Sequence, residues 1–122
     1  MALKVLVVDD EQDIVEVIQD RLEAYGFHVI TAGTGLEALK KLSTERFDGI
    51  FLDVKMPEMG GIEALQEIRK RDKKIPIIII TSSSTREAAI EAIDKGANDY
   101  ILKPFEWEEL KSKIERVYGI TL

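Results

Sequence analysis

Cysteine is absent from the 122 residues. No disulfide framework or thiolate metal site can form, and a reducing compartment suits the chain. Histidine occurs once, at His28 within an apolar stretch, so an imidazole-built zinc or iron centre is a poor match. Basic residues number 17 against 23 acidic ones, for a net charge of −6. That balance argues against non-specific nucleic-acid binding, which calls for a basic surface. The longest apolar run, Ile75-Pro76-Ile77-Ile78-Ile79-Ile80, is far too short to span a bilayer. Acids begin at Asp9, which leaves Met1 to Val8 too short for a secretory leader. The expectation is a cytoplasmic chain without membrane attachment. No repeat, low-complexity tract or linker divides it, so residues 1–122 read as one domain.

What is present is a core. Hydrophobic residues make up 45% of the chain, which suits a globular protein. Five short runs rich in Val, Ile or Leu stand out: Val5 to Val8, Phe27 to Thr31, Gly49 to Leu52, Ile77 to Ile80 and Tyr100 to Leu102. They read as buried parallel strands. Helical spacing fills the intervals. Ile14, Ile18, Leu22 and Tyr25 share one face; Leu36, Leu39 and Leu42 a second; Ile62, Leu65 and Ile68 a third; Ala89 and Ile93 a fourth; Leu110, Ile114 and Val117 a fifth. Thr34-Gly35-Leu36-Glu37 and Ser84-Thr85-Arg86-Glu87 fit the capping-box pattern. Gly26 and Gly96 fall where helices end in a left-handed cap. Strand and helix alternate five times, and right-handed crossovers turn that order into an α/β fold, a parallel sheet with helices on both faces. Ligands of such sheets bind beyond the carboxyl ends of the strands, where the strand order reverses.

Those strand ends carry a distinctive set. Asp9, Asp10 and Glu11 follow the first strand, Asp53 the third, Thr81 to Ser84 the fourth, and Lys103-Pro104-Phe105 the fifth. Converging carboxylates without a partner would force one to stay protonated near neutral pH. A hard divalent cation removes that penalty, and magnesium takes one or two carboxylates, waters and a phosphate oxygen. An aspartate nucleophile beside a metal, a hydroxyl and a lysine suits phosphoryl transfer.

With "VVDD" at Val7 to Asp10, "LDVKMPEMGG" at Leu52 to Gly61, "TSSS" at Thr81 to Ser84 and "LKPF" at Leu102 to Phe105, the chain resembles the receiver domain of two-component response regulators. The resemblance covers nearly the whole chain. It implies a doubly wound, flavodoxin-like (βα)5 fold with strand order 2-1-3-4-5. It further implies that Asp53 accepts phosphate from a histidine kinase or a small phosphodonor. Asp10 would bind Mg2+ directly, Asp9 mostly through water, and Asp53 and the backbone carbonyl of Lys55 would complete the metal's protein ligands. Lys103 would pair with the phosphate, and Thr81 would hydrogen-bond one of its oxygens. Tyr100 would turn inward as Thr81 moves, and the face of the fourth helix, fifth strand and fifth helix would carry the signal. The Lys103-Pro104 bond would be cis. Partners would be a sensor histidine kinase or phosphotransfer protein upstream and a downstream protein or effector domain. Direct nucleic-acid contact by this domain is not expected. The chain would be a monomer or a phosphorylation-dependent dimer, and would act as a switch rather than an enzyme.

Several residues keep a plainer reading. Glu11 suits the start of a helix, where a carboxylate matches the dipole, or acts on the metal through water; the helix role is favoured. Tyr100 is ordinarily an edge aromatic. Ser83 and Ser84 read as loop and cap. Met56-Pro57 and Gly60-Gly61 read equally well as an ordinary loop. The run Arg69-Lys70-Arg71-Asp72-Lys73-Lys74 reads as a solvated helix end matched to its dipole, and Trp107 as either core anchor or surface contact. Lys55 and Ser83 lie where this family tunes the lifetime of the phosphate. Lys55 resembles that of some single-domain phosphorelay intermediates, and a slow self-dephosphorylation is expected. Three rival functions remain: the fold serving only as a docking module, passing phosphate to a histidine phosphotransfer protein, and a magnesium-dependent phosphatase with an aspartyl nucleophile. The adjacent Asp9 and Asp10 do not match the usual spacing of the last.

Overall fold

The apolar runs pair side by side. The computed structural model describes residues 2–56 and 59–122, with only the backbone of Ser83. In chain order it contains β1 (Lys4–Val8), α1 (Gln12–Ala24), β2 (His28–Ala32), α2 (Gly35–Thr44), β3 (Gly49–Leu52), α3 (Gly61–Arg71), β4 (Ile77–Ser82), a 3-10 turn (Ser83–Thr85), α4 (Arg86–Asp94), β5 (Asp99–Lys103) and α5 (Trp107–Tyr118). The strands form one parallel sheet in the order β2-β1-β3-β4-β5, as expected. No helix among the described residues is long and apolar enough to cross a membrane.

Alternate residues of the central strands feed opposite faces. Leu6, Val8, Ile50, Leu52, Ile77 and Ile79 pack with Leu39 of α2, Leu65 and Ile68 of α3, and Ala89 and Ala92 of α4. Val5, Val7, Phe51, Ile78, Ile80 and Ile101 pack with Ile18 and Leu22 of α1 and Leu110 and Ile114 of α5. Burial on both sides explains why these strands read as continuous apolar runs.

The helix faces depart from expectation in detail. Val15, rather than Ile14, joins Ile18 and Leu22 in burial, and Ile14 is half-buried. Leu36 is 53% exposed, while Gly35, Ala38 and Leu39 turn inward. On α4 the buried residues are Ala89 and Ala92, and Ile93 lies at the surface. The two expected caps also differ. The Thr34 hydroxyl accepts from the Glu37 amide at 3.0 Å, while Glu37 reaches back to the Gly33 amide at 3.2 Å. At the second, Thr85 is the cap residue, without a side-chain cap bond, and the Ser84 hydroxyl pairs with that of Ser82 at 2.7 Å. Gly26 and Gly96 adopt positive φ as expected.

The basic run is not simply solvated. The half-buried Arg69 guanidinium donates to the carbonyls of Gly96 and Asp72 and to Asn98 Oδ1. It thereby ties the end of α3 to the turn between α4 and β5. Arg71 donates to the Leu39 carbonyl.

Candidate functional site

Strand register brings the site together. β1 and β3 pair with Val8 opposite Leu52, so the next residues, Asp9 and Asp53, emerge level. Leu52 lies opposite Ile79, which sets Thr81 just beyond. Ser82 lies opposite Lys103. The chain leaves β1 towards β2 on one side and pairs with β3 on the other, and at such a reversal the loops diverge and open a crevice. A cleft of about 420 Å³ lies there, lined by Asp10, Glu11, Asp53, Lys55, Thr81 and Lys103 among others. Gly61 lets α3 start close against it. A Cβ at that position would fall 2.3 Å from the carbonyl oxygen of Asp53 and 2.3 Å from Cα of Val54.

Among the described residues the buried polar side chains are Asp9, Asp53 and Thr81. Buried polar groups are disfavoured unless partnered, and these three are. Asp53 Oδ1 accepts from the Thr81 hydroxyl at 2.7 Å and from the Lys55 amide at 3.1 Å. Asp9 Oδ1 accepts from the Glu11 amide at 3.0 Å, and Asp9 Oδ2 from Lys103 Nζ at 2.9 Å. Lys103 Nζ also lies 4.0 Å from Asp53 Oδ2. The Lys103-Pro104 bond is cis.

Charge in the cleft is unbalanced. Asp9, Asp10, Glu11 and Asp53 each bring a carboxylate oxygen within 4.8 Å of the others. Among the described residues, the ammonium of Lys103 is the one within ion-pair distance of them. Burial, with the Asp9 carboxylate adding to it, raises the Asp53 carboxyl above its ordinary value, against the pull of Thr81, the Lys55 amide and Lys103. An all-oxygen, strongly anionic donor set fits a hard cation such as magnesium and no soft metal.

The expected residues therefore fall into tiers. Thr81, Asp53, Lys103 and Asp9 are joined in one chain of contacts. Asp10 is exposed at the mouth, and Lys55 lines it with an exposed side chain. Glu11 stands at the start of α1 without a side-chain cap bond, and its carboxylate belongs to the acidic group as well. Tyr100 is half-buried on β5, packed against the core, with Lys113 Nζ 5.6 Å from its ring centre. Trp107 is both anchor and surface group: half-buried, edge-on to Phe105 at 5.2 Å, with Arg21 4.7 Å from its ring centre. The Pro57 position and the Ser83 side chain lie outside the described residues. Thr85, which in the sequence reads only as part of a capping box, stands next to this group. Its hydroxyl lies 2.7 Å from that of Thr81; the available signal was a second hydroxyl residue four positions after Thr81.

The model of the response regulator receiver domain matches residues 5–115. The chain is 40% identical over 117 residues to the alkaline phosphatase synthesis transcriptional regulatory protein PhoP of Bacillus subtilis, covering 96% of this chain and 49% of that protein. It thus spans about half the length of this curated relative. Among solved structures, the response regulator protein TrrA of Thermotoga maritima, in complex with Mg(2+)-BeF, superposes with a TM-score of 0.83 at 38% identity, covering 96% of this chain and 99% of that one. The receiver domain of the sensor histidine kinase PA1611 of Pseudomonas aeruginosa, with a magnesium ion coordinated in its active-site cleft, gives a TM-score of 0.87 at 31% identity, covering 98% and 99%.

Proposed function

The chain belongs to the response regulator receiver domain family, and from that premise we propose that it is a phosphorylation-dependent switch with Asp53 as phosphoacceptor. The observation that carries this reading is the Asp53 carboxylate itself. It is buried, level with Asp9, bonded through Oδ1 to Thr81 and Lys55, and within 4.0 Å of Lys103 through Oδ2. Oδ1 is occupied by two donors, so Oδ2 is the atom left to attack. A bond forms between Oδ2 and phosphorus as the bond to the donor's imidazole nitrogen or acyl oxygen breaks. Lys103 and the Thr81 hydroxyl would hold the phosphoryl oxygens.

Asp10, Asp53 and the Lys55 carbonyl would hold magnesium, with Asp9 acting mostly through water. When bound, the ion supplies positive charge against the carboxylates and the incoming phosphoryl group. Upstream, an apolar groove of about 510 Å³ between α1 and the β5–α5 loop is lined by Ile14, Val17, Phe105 and Trp107 and shares Lys103 with the cleft. This supports docking of a histidine kinase or phosphotransfer protein beside Asp53. Downstream, the signal would leave through α4, β5 and α5. Ile90 and Ile93 on α4, 46% and 36% exposed, suit a protein contact there. Phosphate on Asp53 would shift an equilibrium between two arrangements of this face. Lys55 at the mouth supports a long-lived phosphate, and with it service as a phosphorelay intermediate.

Acetyl phosphate or beryllofluoride with magnesium tests the reading. The wild-type chain should be labelled and Asp53→Ala should not. An unlabelled wild type, or equal labelling of both, refutes it.

A further inference from the structure

A hydroxyl has one proton to give. The Asp53 carboxylate only accepts, so the 2.7 Å bond between them takes the proton of Thr81. Thr81 Oγ1 also lies 2.7 Å from Thr85 Oγ1. Its own proton being committed, Thr81 accepts there and Thr85 donates. The Thr85 hydroxyl in turn has two acceptors in reach, Thr81 Oγ1 at 2.7 Å and the Ser82 carbonyl at 2.9 Å. It shares one proton between them. Thr85 is also the residue that opens α4, yet its side chain caps none of that helix's amides.

We propose that Thr85 is a positioning residue. It holds Thr81 turned towards Asp53 in the resting state and links that orientation to the start of α4. The inference rests on Asp53 being the phosphoacceptor and deepens that reading. When a phosphoryl group draws Thr81 out of its resting position, Thr85 loses one acceptor and keeps the other. The bond to Ser82 is available in both arrangements, while the bond to Thr81 belongs to the resting one. Removing the Thr85 hydroxyl therefore weakens the resting arrangement selectively. The strand end and the start of α4 are joined through this proton, so Thr81 and α4 shift together.

The test compares Thr85→Val, which keeps the shape and loses the hydroxyl, with Thr85→Ser, which keeps the hydroxyl. Beryllofluoride with magnesium is titrated into each full chain, with melting curves to confirm folding. Thr85→Val should bind roughly two- to tenfold more tightly than wild type, the range of one hydrogen bond, and Thr85→Ser should match wild type. Independently of any ligand, three-bond couplings to the Thr81 methyl group should report one side-chain orientation in wild type and Thr85→Ser, and averaging in Thr85→Val. A folded Thr85→Val with wild-type affinity and a single Thr81 orientation overturns the role of Thr85 and leaves Asp53 untouched. A wild type that takes up no beryllofluoride overturns the reading of Asp53, and the role of Thr85 with it.

Discussion

Two neighbouring aspartates with the same chemistry hold different positions. Asp9 is buried, and both its oxygens are engaged, one by the Glu11 amide and the other by Lys103. Asp10 is exposed beside the cleft, with no ion pair among the described residues. A free carboxylate at the mouth is the better direct ligand, and an engaged one serves through water. Glu11 sits at the start of α1, where the helix dipole already favours its charge. Asp10→Ala should therefore weaken magnesium binding about tenfold or more. Glu11→Ala should weaken it less than about fivefold, the worth of one exposed charge interaction of ~1 kcal/mol. Calorimetric titration measures both, and equal losses would put the two acids on one footing. At this scale the sequence revealed which residues gather, because each follows an apolar run. It could not reveal which oxygen was already engaged. Lys103 answers Asp9 from 94 residues away, and only the fold brings it there.

Strands were more legible than helix faces, for a physical reason. Ile77 to Ile80 are buried on both sides, so the run declares itself whatever lies above or below. A helix face depends on its neighbours. Leu36 fits the apolar spacing of α2, yet it lies at the surface because the helix turns Gly35 and Ala38 inward. Ties between elements are equally invisible in a linear pattern. Asp99, the first residue of β5, is held by Lys113 at 3.1 Å and by Arg116, both on α5, and by the Tyr100 amide at 2.8 Å. Burial pushes its carboxyl up, but these donors outweigh burial and hold it below the ordinary value. A depressed folded-state pKa gives stability that is present above the unfolded value and lost as pH falls through the folded one. Asp99→Asn should therefore be less stable than wild type near neutral pH by about 1 kcal/mol, a modest figure because Arg116 is largely exposed. The difference should persist down to the ordinary aspartate value and close only as pH falls further, through the depressed folded-state one. Denaturant midpoints across that interval measure it, and a gap that persists in acid would rule out charge as its source.

Across the whole molecule, the functional edge works against the fold. The rest of the sheet buries apolar side chains, while the carboxyl edge buries Asp9 and Asp53 close together. The opposite edge has a smaller exception, the buried Tyr118 hydroxyl, which has no hydrogen-bond partner among the described residues. Repulsion between carboxylates and burial of Asp53 should make the cation-free chain less stable than its side chains allow. Neutralising Asp53 as Asp53→Asn removes that charge and keeps acceptors for Thr81 and Lys55. Without divalent cations this variant should be more stable than wild type by about 1 kcal/mol. Magnesium reverses the comparison. A ligand that binds only the folded state stabilises it by about 2.7 kcal/mol at a hundred times its dissociation constant, and the variant lacks one of the carboxylates that would bind it. Wild type should then overtake Asp53→Asn as magnesium is raised, and Asp10→Ala should gain far less than wild type. Denaturation at fixed ionic strength, with and without magnesium, gives both orders directly. If wild type is the more stable without the ion and gains nothing from it, the convergence of the four acids at one sheet edge has no cation to answer it.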